Sequence, residues 1–360
     1  MTSSGLRADV MAGATVALVA VPQCLAYSTM AGLPPAYGLA TAIVPALVAA
    51  FAGRSPTVVT GPTNTTSLLI LGVVLPFLGP QGLPPNALQW IATLTLLCGL
   101  LRLVVAYGGG AVLIRFLPES VLAGFIVGAG ILIGLMQLDE ALGLPPVSAA
   151  GAWAELQGLA ATLRLQGGPS PLAIAVTLVS TAAVAVGQRV SPRLPVALAV
   201  VAGGALLAWT LGLDASRGLP LVGDRAAVPS GWPPGAMPLM DINVIGQLLL
   251  PAAAIVLLGT LELIVTIRAE DPRADVRREI VAQGLANVAG AFASAFPASA
   301  SLTRSVLLRM GRPSSRAAGV IAALLVLPVL LFGSGPIAHI PQASLAGVLF
   351  VIAAAMVRQP

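Results

Sequence analysis

Apolar residues along this chain do not recur at a helical or a strand spacing. They run on without a polar stripe, as from Ala12 to Met30, Leu172 to Gly187 and Ile242 to Ile267. As helices rising about 1.5 Å per residue, such runs are long enough to cross a hydrocarbon core of roughly 30 Å. Breaks at Pro, Gly and charged residues predict twelve spans, near residues 9–31, 37–52, 62–78, 87–106, 113–138, 171–188, 194–212, 242–267, 276–294, 300–310, 317–334 and 340–357. Two of them are short or broken. The pattern therefore predicts an all-α integral membrane protein.

Composition sharpens this. Of 360 residues, 57% are hydrophobic and 9% charged, too few to clothe a water-soluble surface. The 39 Gly and 30 Pro residues would damage a soluble helical protein, but membrane helices that bend, pack closely or break tolerate them, so discontinuous helices are expected. The net charge of +5 comes from scattered Arg without Lys, which excludes a nucleic-acid-binding face. Cys24 and Cys98 lie in apolar runs and read as small buried hydrophobes; neither a metal site nor a cofactor is expected. No cleavage pattern follows Arg7, so the first span is expected to persist.

With the N-terminus in the cytoplasm, the inside loops hold Arg7, Arg54, Arg102, Arg115, Arg189, Arg193, Arg268, Arg273, Arg277, Arg278, Arg309, Arg312, Arg316 and Arg358, against Arg164, Arg217 and Arg225 outside. Fourteen against three is a strong positive-inside bias that one missed span would scramble. Arg304 belongs to neither side and lies within the membrane.

Two internal echoes point to a repeat. Pro118, Leu122, Ala123 and Gly124 recur 223 residues later as Pro341, Leu345, Ala346 and Gly347. A looser echo joins Gly61-Pro62-Thr63-Asn64 to Phe296-Pro297-Ala298-Ser299, each a Pro and a hydroxyl-rich turn before an apolar helix. Matching span five to twelve and three to ten gives a repeat of seven spans, and an odd number inverts the halves. The first repeat is placed at 1–212, an extracellular linker at 213–241 and the second repeat, with spans eight to twelve, at 242–360.

In inverted-repeat transporters, broken helices present their N-termini near the midplane, where unpaired N–H groups and dipoles favour an anion. Thr57 to Thr60 and Ser294 to Phe296 are read as short extended segments leading into the two turns, with Pro62 and Pro297 at first helical positions. Thr63, Asn64, Ser299 and Ser301 add side-chain donors, and Arg304 adds a full positive charge. A charge in the membrane costs roughly 2.5 kcal/mol or more, so it needs a partner or a purpose; the competing reading is that Arg304 snorkels to the surface. Glu262, about six residues before Arg268, is a candidate proton-coupling group, a counter-charge for Arg304, or a structural acid. Gln23 follows Pro22 in the first span, beside Tyr27, and is drawn to the same cavity. The glycine pairs Gly124/Gly128 and Gly130/Gly134 read as close helix contacts rather than a nucleotide loop.

Val21-Pro22-Gln23-Cys24-Leu25-Ala26-Tyr27, Ala31 through Leu39, Gly61-Pro62-Thr63, Pro118-Glu119-Ser120, Gly284-Leu285-Ala286-Asn287, Phe296-Pro297 and Thr303-Arg304-Ser305 together closely resemble the signature of the sulfate permease (solute carrier 26) family. This resemblance implies fourteen spans in two inverted repeats of seven, with short strands opening spans three and ten. It implies a core domain from spans one to four and eight to eleven, and a gate domain from spans five to seven and twelve. An anion site is then lined by Gln23, Tyr27, the turn at Thr63, Glu262 and the segment Ser299, Ala300, Ser301 to Arg304. Family members carry sulfate, bicarbonate, dicarboxylates such as fumarate, or chloride, by proton or sodium symport or by exchange. A bacterial inner-membrane location, elevator-like alternating access and a homodimer follow from the same likeness. Seven-span symmetry and the family's regulatory STAS domain imply that the sequence is a piece of a longer chain. The rivals are a channel-like anion conductor and, against the charge of Arg304, a nucleobase transporter.

Overall fold

The computed structural model describes residues 3–74, 85–108, 119–145, 152–166, 168–190, 196–225, 230–332 and 338–358. In chain order the elements are α1 (Ser3–Met30), α2 (Pro35–Ala52), β1 (Thr60–Gly61), α3 (Asn64–Val74), α4 (Pro85–Tyr107), α5 (Glu119–Leu135), α6 (Leu138–Ala141), α7 (Ala152–Gln166), α8 (Pro171–Val190), α9 (Val196–Leu211), α10 (Val222–Arg225), α11 (Ile242–Glu270), α12 (Val276–Ala291), β2 (Ser299–Ala300), α13 (Leu302–Met310), α14 (Ala317–Phe332) and α15 (Gln342–Arg358). Each expected span meets one helix. Helix α7 was not foreseen, because Glu155, Gln157 and Arg164 interrupt its apolar run, leaving Trp153 and Leu165 exposed. Pro118, Arg115 and Arg193 lie outside the described residues.

Local chemistry sets the ends of these helices. Pro35 opens α2, where its missing N–H costs nothing. Asp241 and Asp275 cap α11 and α12 by accepting from the N–H groups of Asn243 at 2.7 Å and Arg278 at 3.2 Å. Among the described residues, five helices are long and apolar enough to span a membrane, including Gly5–Leu25 and Ile242–Ala269.

The chain divides into two compact units. Unit 1 comprises Met1–Leu117 and Val228–Gly333, and unit 2 comprises Pro118–Ala227 and Ser334–Pro360. The stretch expected as a linker at 213–241 is shared between them, and it carries a 3-10 turn at Ala215–Arg217 as well as α10.

In unit 2, α5 and α15 have 17 residues each and begin 223 positions apart, in step with the echo that contains Pro341. Helix α15 packs on α5 and α8, where the Thr177 hydroxyl donates to the Ala343 carbonyl at 3.2 Å. Gly130 makes the expected close contact, since a Cβ there would meet the Ala353 carbonyl at 3.0 Å. Gly124 and Gly128 do not: among the described residues nothing comes within 4 Å of a Cβ at either.

In unit 1, α12 lies between α2 and α4, and α1 packs on α14. Gly99 and Gly284 let α4 and α12 approach until a Cβ at Gly99 would sit 2.7 Å from the Val288 nitrogen. At the helix ends, the buried Asp9 accepts from the N–H groups of Ser314 and Ser315 at 2.6 and 3.0 Å, tying α1 to the start of α14. Glu279 similarly holds the N–H groups of Arg54 and Ser55 beyond α2.

The two strands pair antiparallel, Thr60 with Ala300 and Gly61 with Ser299. Their placement corrects two expectations. Strand β2 follows Pro297 instead of preceding it, and neither Pro62 nor Pro297 is a first helical residue, since the helices open at Asn64 and Leu302. The reason lies in α2 and α12, which claim the segment expected to be extended. The Phe296 N–H donates to the Thr41 hydroxyl at 3.0 Å, and Asn287 Oδ1 accepts from the Ala298 N–H at 2.8 Å while its Nδ2 donates to the Ala298 carbonyl at 3.0 Å. Ser294, at φ 56°, starts this bound loop in the left-handed region.

Asn287 is fully buried and satisfies both backbone groups of Ala298. Asn287→Ala would orphan the Ala298 N–H, at about 1–3 kcal/mol, and leave the carbonyl to its second donor alone, the Arg102 guanidinium. The expected outcome is a clear fall in the melting temperature of the detergent-solubilised protein, measured by tryptophan fluorescence, whereas Asn287→Asp retains the acceptor and loses less.

Candidate functional site

The β1–β2 ladder holds two helix N-termini against one another. Each strand feeds its helix at the opposite end of the pair, so α3 and α13 leave the ladder in opposite directions. Both starts are capped by hydroxyls. Thr63 and Thr66 form a reciprocal box, Thr66 N–H to Thr63 Oγ1 at 3.3 Å and Thr63 N–H to Thr66 Oγ1 at 3.2 Å. Ser301 caps α13 by accepting from the Arg304 N–H at 3.4 Å, and its own N–H extends the ladder by donating to the Val59 carbonyl at 2.8 Å.

Arg304 does not snorkel. Its side chain is 1% exposed and turns across the ladder, donating from Nη2 to the Pro62 carbonyl at 2.7 Å and from Nη1 to the Cys24 sulfur at 3.1 Å. Its Nε has no hydrogen-bond partner among the described residues. Gly61, at φ 156°, makes room for this crossing, because a Cβ there would lie 2.9 Å from Nη2.

Glu262 sits on α11, and its Oε2 accepts from the Thr63 hydroxyl at 3.2 Å. The Thr65 and Ser299 hydroxyls lie beside the same carboxyl. The charge of Arg102 acts on this carboxyl.

The other expected residues fall around the ladder with unequal involvement. Ser299 and Ala300 form β2 and are fully buried; the Ser299 hydroxyl donates to the Gly259 carbonyl at 3.0 Å. Asn64 is half-buried as the first residue of α3. Gln23 and Tyr27, one helical turn apart on α1, are both half-buried and flank Cys24, the Arg304 contact; Gln23 Oε1 is a buried acceptor with no partner among the described residues.

Arg102 was misread by sequence. Instead of a cytoplasmic loop it occupies α4, 1% exposed, so the expected inside set falls to thirteen arginines against three. Its Nη1 donates to Gln283 Oε1 at 3.3 Å and to the Ala298 carbonyl at 3.0 Å, while Gln283 Nε2 donates to the Thr60 hydroxyl at 2.6 Å. Gln283 and Gly259 were likewise not singled out. A signal for Arg102 did exist: Leu103 to Tyr107 continue the apolar run past it, so it stands more than a turn inside the helix.

The description "Sulfate permease family" belongs to a family model that matches residues 6–360. A "Probable sulfate transporter" of Mycobacterium tuberculosis is 32% identical over 354 residues, covering 97% of this chain and 61% of that protein. The "Bicarbonate transporter BicA" of a Picosynechococcus species is 25% identical over 353 residues, 96% of this chain and 61% of its own. The chain thus spans about 61% of the length of these curated relatives. Among solved structures, the transmembrane domain of a cyanobacterial BicA matches with a TM-score of 0.71 at 23% identity, over 99% of this chain and 90% of that domain. The fold is therefore the inverted-repeat fold of these transmembrane domains.

A Cβ at Gly259 would collide with Arg102 Nη2 and approach Ser299 Oγ to 2.9 Å, so a side chain there would displace the guanidinium. Gly246 on the same helix has open space. Gly259→Ala is expected to lower the melting temperature of the detergent-solubilised protein, and Gly246→Ala to leave it unchanged.

Proposed function

The chain belongs to the sulfate permease family, and from that premise we propose that it is a secondary transporter of a small oxyanion, carried by alternating access together with a proton. The observation that carries this reading is Arg304, a fully buried cation whose Nε has no partner among the described residues, set between the N-termini of α3 and α13. Two helix N-termini contribute about half a positive charge each and an arginine a whole one, so the region demands an anion. The backbone N–H of Leu302 and the hydroxyl of Ser301, whose oxygen accepts from the Arg304 N–H, supply donors for its oxygens beside the turns at Thr63 and Ser299. Gln23 and Tyr27 close the side made by α1.

The substrate classes favoured are sulfate and bicarbonate, which give the two relatives their names, and a dicarboxylate such as fumarate, whose carboxylate offers similar oxygens. Glu262 is the proposed proton carrier. It shares Thr63 with the α3 cap, so its protonation is felt at the same turn. In this reading unit 1, which carries all these residues, is the moving part, and the arginine-rich loops face the cytoplasm of a bacterial cell. A metal or organic cofactor has no role in it.

Reconstituted protein is expected to accumulate at least one of labelled sulfate, bicarbonate and fumarate when the outside is acidified. Arg304→Ala should reduce that uptake to background, and Arg304→Lys should retain part of it, since a point charge replaces the planar fork. Wild-type uptake by Arg304→Ala sinks the assignment, as does competition by uracil but by none of these anions. Single-channel currents in planar bilayers would replace the transporter with an anion conductor.

A further inference from the structure

Arg102 has no role in the reading above, yet burying its charge is costly. A guanidinium withdrawn from water needs every N–H answered, and here only Nη1 is, by Gln283 and Ala298. Nε and Nη2 have no partner among the described residues. Nη2 is pressed against Gly259 of α11. Glu262 stands three residues further along α11, on the same face, and the charges of Arg102 and Glu262 act on one another. Ser299 Oγ, bonded to the Gly259 carbonyl, lies at the same place. The unsatisfied edge of Arg102, the carboxyl of Glu262 and the start of β2 therefore adjoin.

Other groups around Glu262 are already committed or uncharged. Helix α3 presents the hydroxyls of Thr63 and Thr65, and β2 that of Ser299. Cys98 of α4 points its sulfur at the Ala252 carbonyl, 3.9 Å away. Arg304 of α13 is bound to Pro62 and Cys24, and Glu279 of α12 to the backbone of Arg54 and Ser55.

We propose that Arg102 exchanges partners during transport: it balances Glu262 while that residue is ionised, and turns its unpaired N–H groups to the anionic substrate once Glu262 has taken up a proton. This rests on Glu262 being the proton carrier. Arg102 thereby converts protonation into anion affinity, a task Arg304 does not perform because its hydrogen bonds lie elsewhere. Gln283 fixes the guanidinium through Nη1 and leaves the opposite edge free.

The test measures binding of labelled sulfate, bicarbonate and fumarate to the purified chain from mildly acidic to mildly alkaline pH. Wild-type affinity is expected to rise as pH falls. Glu262→Gln should bind at every pH as tightly as the wild type does in acid. Adding Arg102→Met to Glu262→Gln removes the cation without stranding a buried charge, and in protein that still purifies as a folded species affinity should fall about ten- to a hundredfold, the loss of one charge-assisted hydrogen bond or two. Arg102→Lys should keep the wild-type pH profile with a few-fold weaker affinity. A double variant that binds as tightly as Glu262→Gln alone overturns the role of Arg102 and leaves anion transport standing. A Glu262→Gln protein that is still pH-dependent overturns the proton carrier and this inference with it. Binding of none of the three anions by the wild type overturns the transport reading itself.

Discussion

Two guanidinium groups enclosed in one helical unit, each bonded only to neutral acceptors, set the terms for the rest of unit 1. A charge so far from water must be met by oriented dipoles if no carboxylate bonds to it. The dipoles come from the ends of the strand ladder. Arg304 takes the carbonyl of Pro62, just after β1, and Arg102 that of Ala298, just before β2. A ladder two residues long has little stability of its own. It persists because Asn287, Gln283, Thr41 and Ser305 tie its flanks to α12, α2 and α13, the Ser305 hydroxyl accepting from the Val59 N–H at 2.9 Å.

These clamps also decide where glycine is obligatory. Gly61 and Gly259 are the points at which a guanidinium passes close over backbone, and each lacks a Cβ for that reason. Among the described residues neither arginine is fully satisfied. Incomplete solvation by the protein is what leaves a cationic site something to offer an anion, whereas a fully bonded arginine would be only structural.

Spans and their order were legible in the sequence because twenty apolar residues in a row have one reading, and the shift of 223 residues between α5 and α15 was visible from four side chains. The ladder was legible only in part. Pro62 and Pro297 were aligned as equivalent, but β1 and β2 are related by 239 positions and their helices by 238, so Pro297 stands before its strand and Pro62 after its own. A proline marks a break without fixing where the chain resumes hydrogen bonding. Arg102 was hidden by a rule that sorts arginines by loop: the positive-inside bias was strong enough to absorb one buried member unnoticed. Its partners Gln283 and Ala298 are 181 and 196 residues distant, a pairing no local pattern records.

Aligning the helices, not the prolines, shows where the two halves differ. Thr63 and Ser301 both occupy the N-cap, and Thr66 and Arg304 both stand third in their helices. From that shared position Thr66 turns back to close its own cap, and Arg304 reaches over the ladder to the opposite half. The repeated backbone thus provides two similar dipoles, while charge enters through one side chain of one half and through Arg102 and Glu262 from α4 and α11. Because the dipoles belong to the backbone and the charge to three replaceable side chains, the proposed preference for an anion over a neutral solute rests on those side chains and not on the fold.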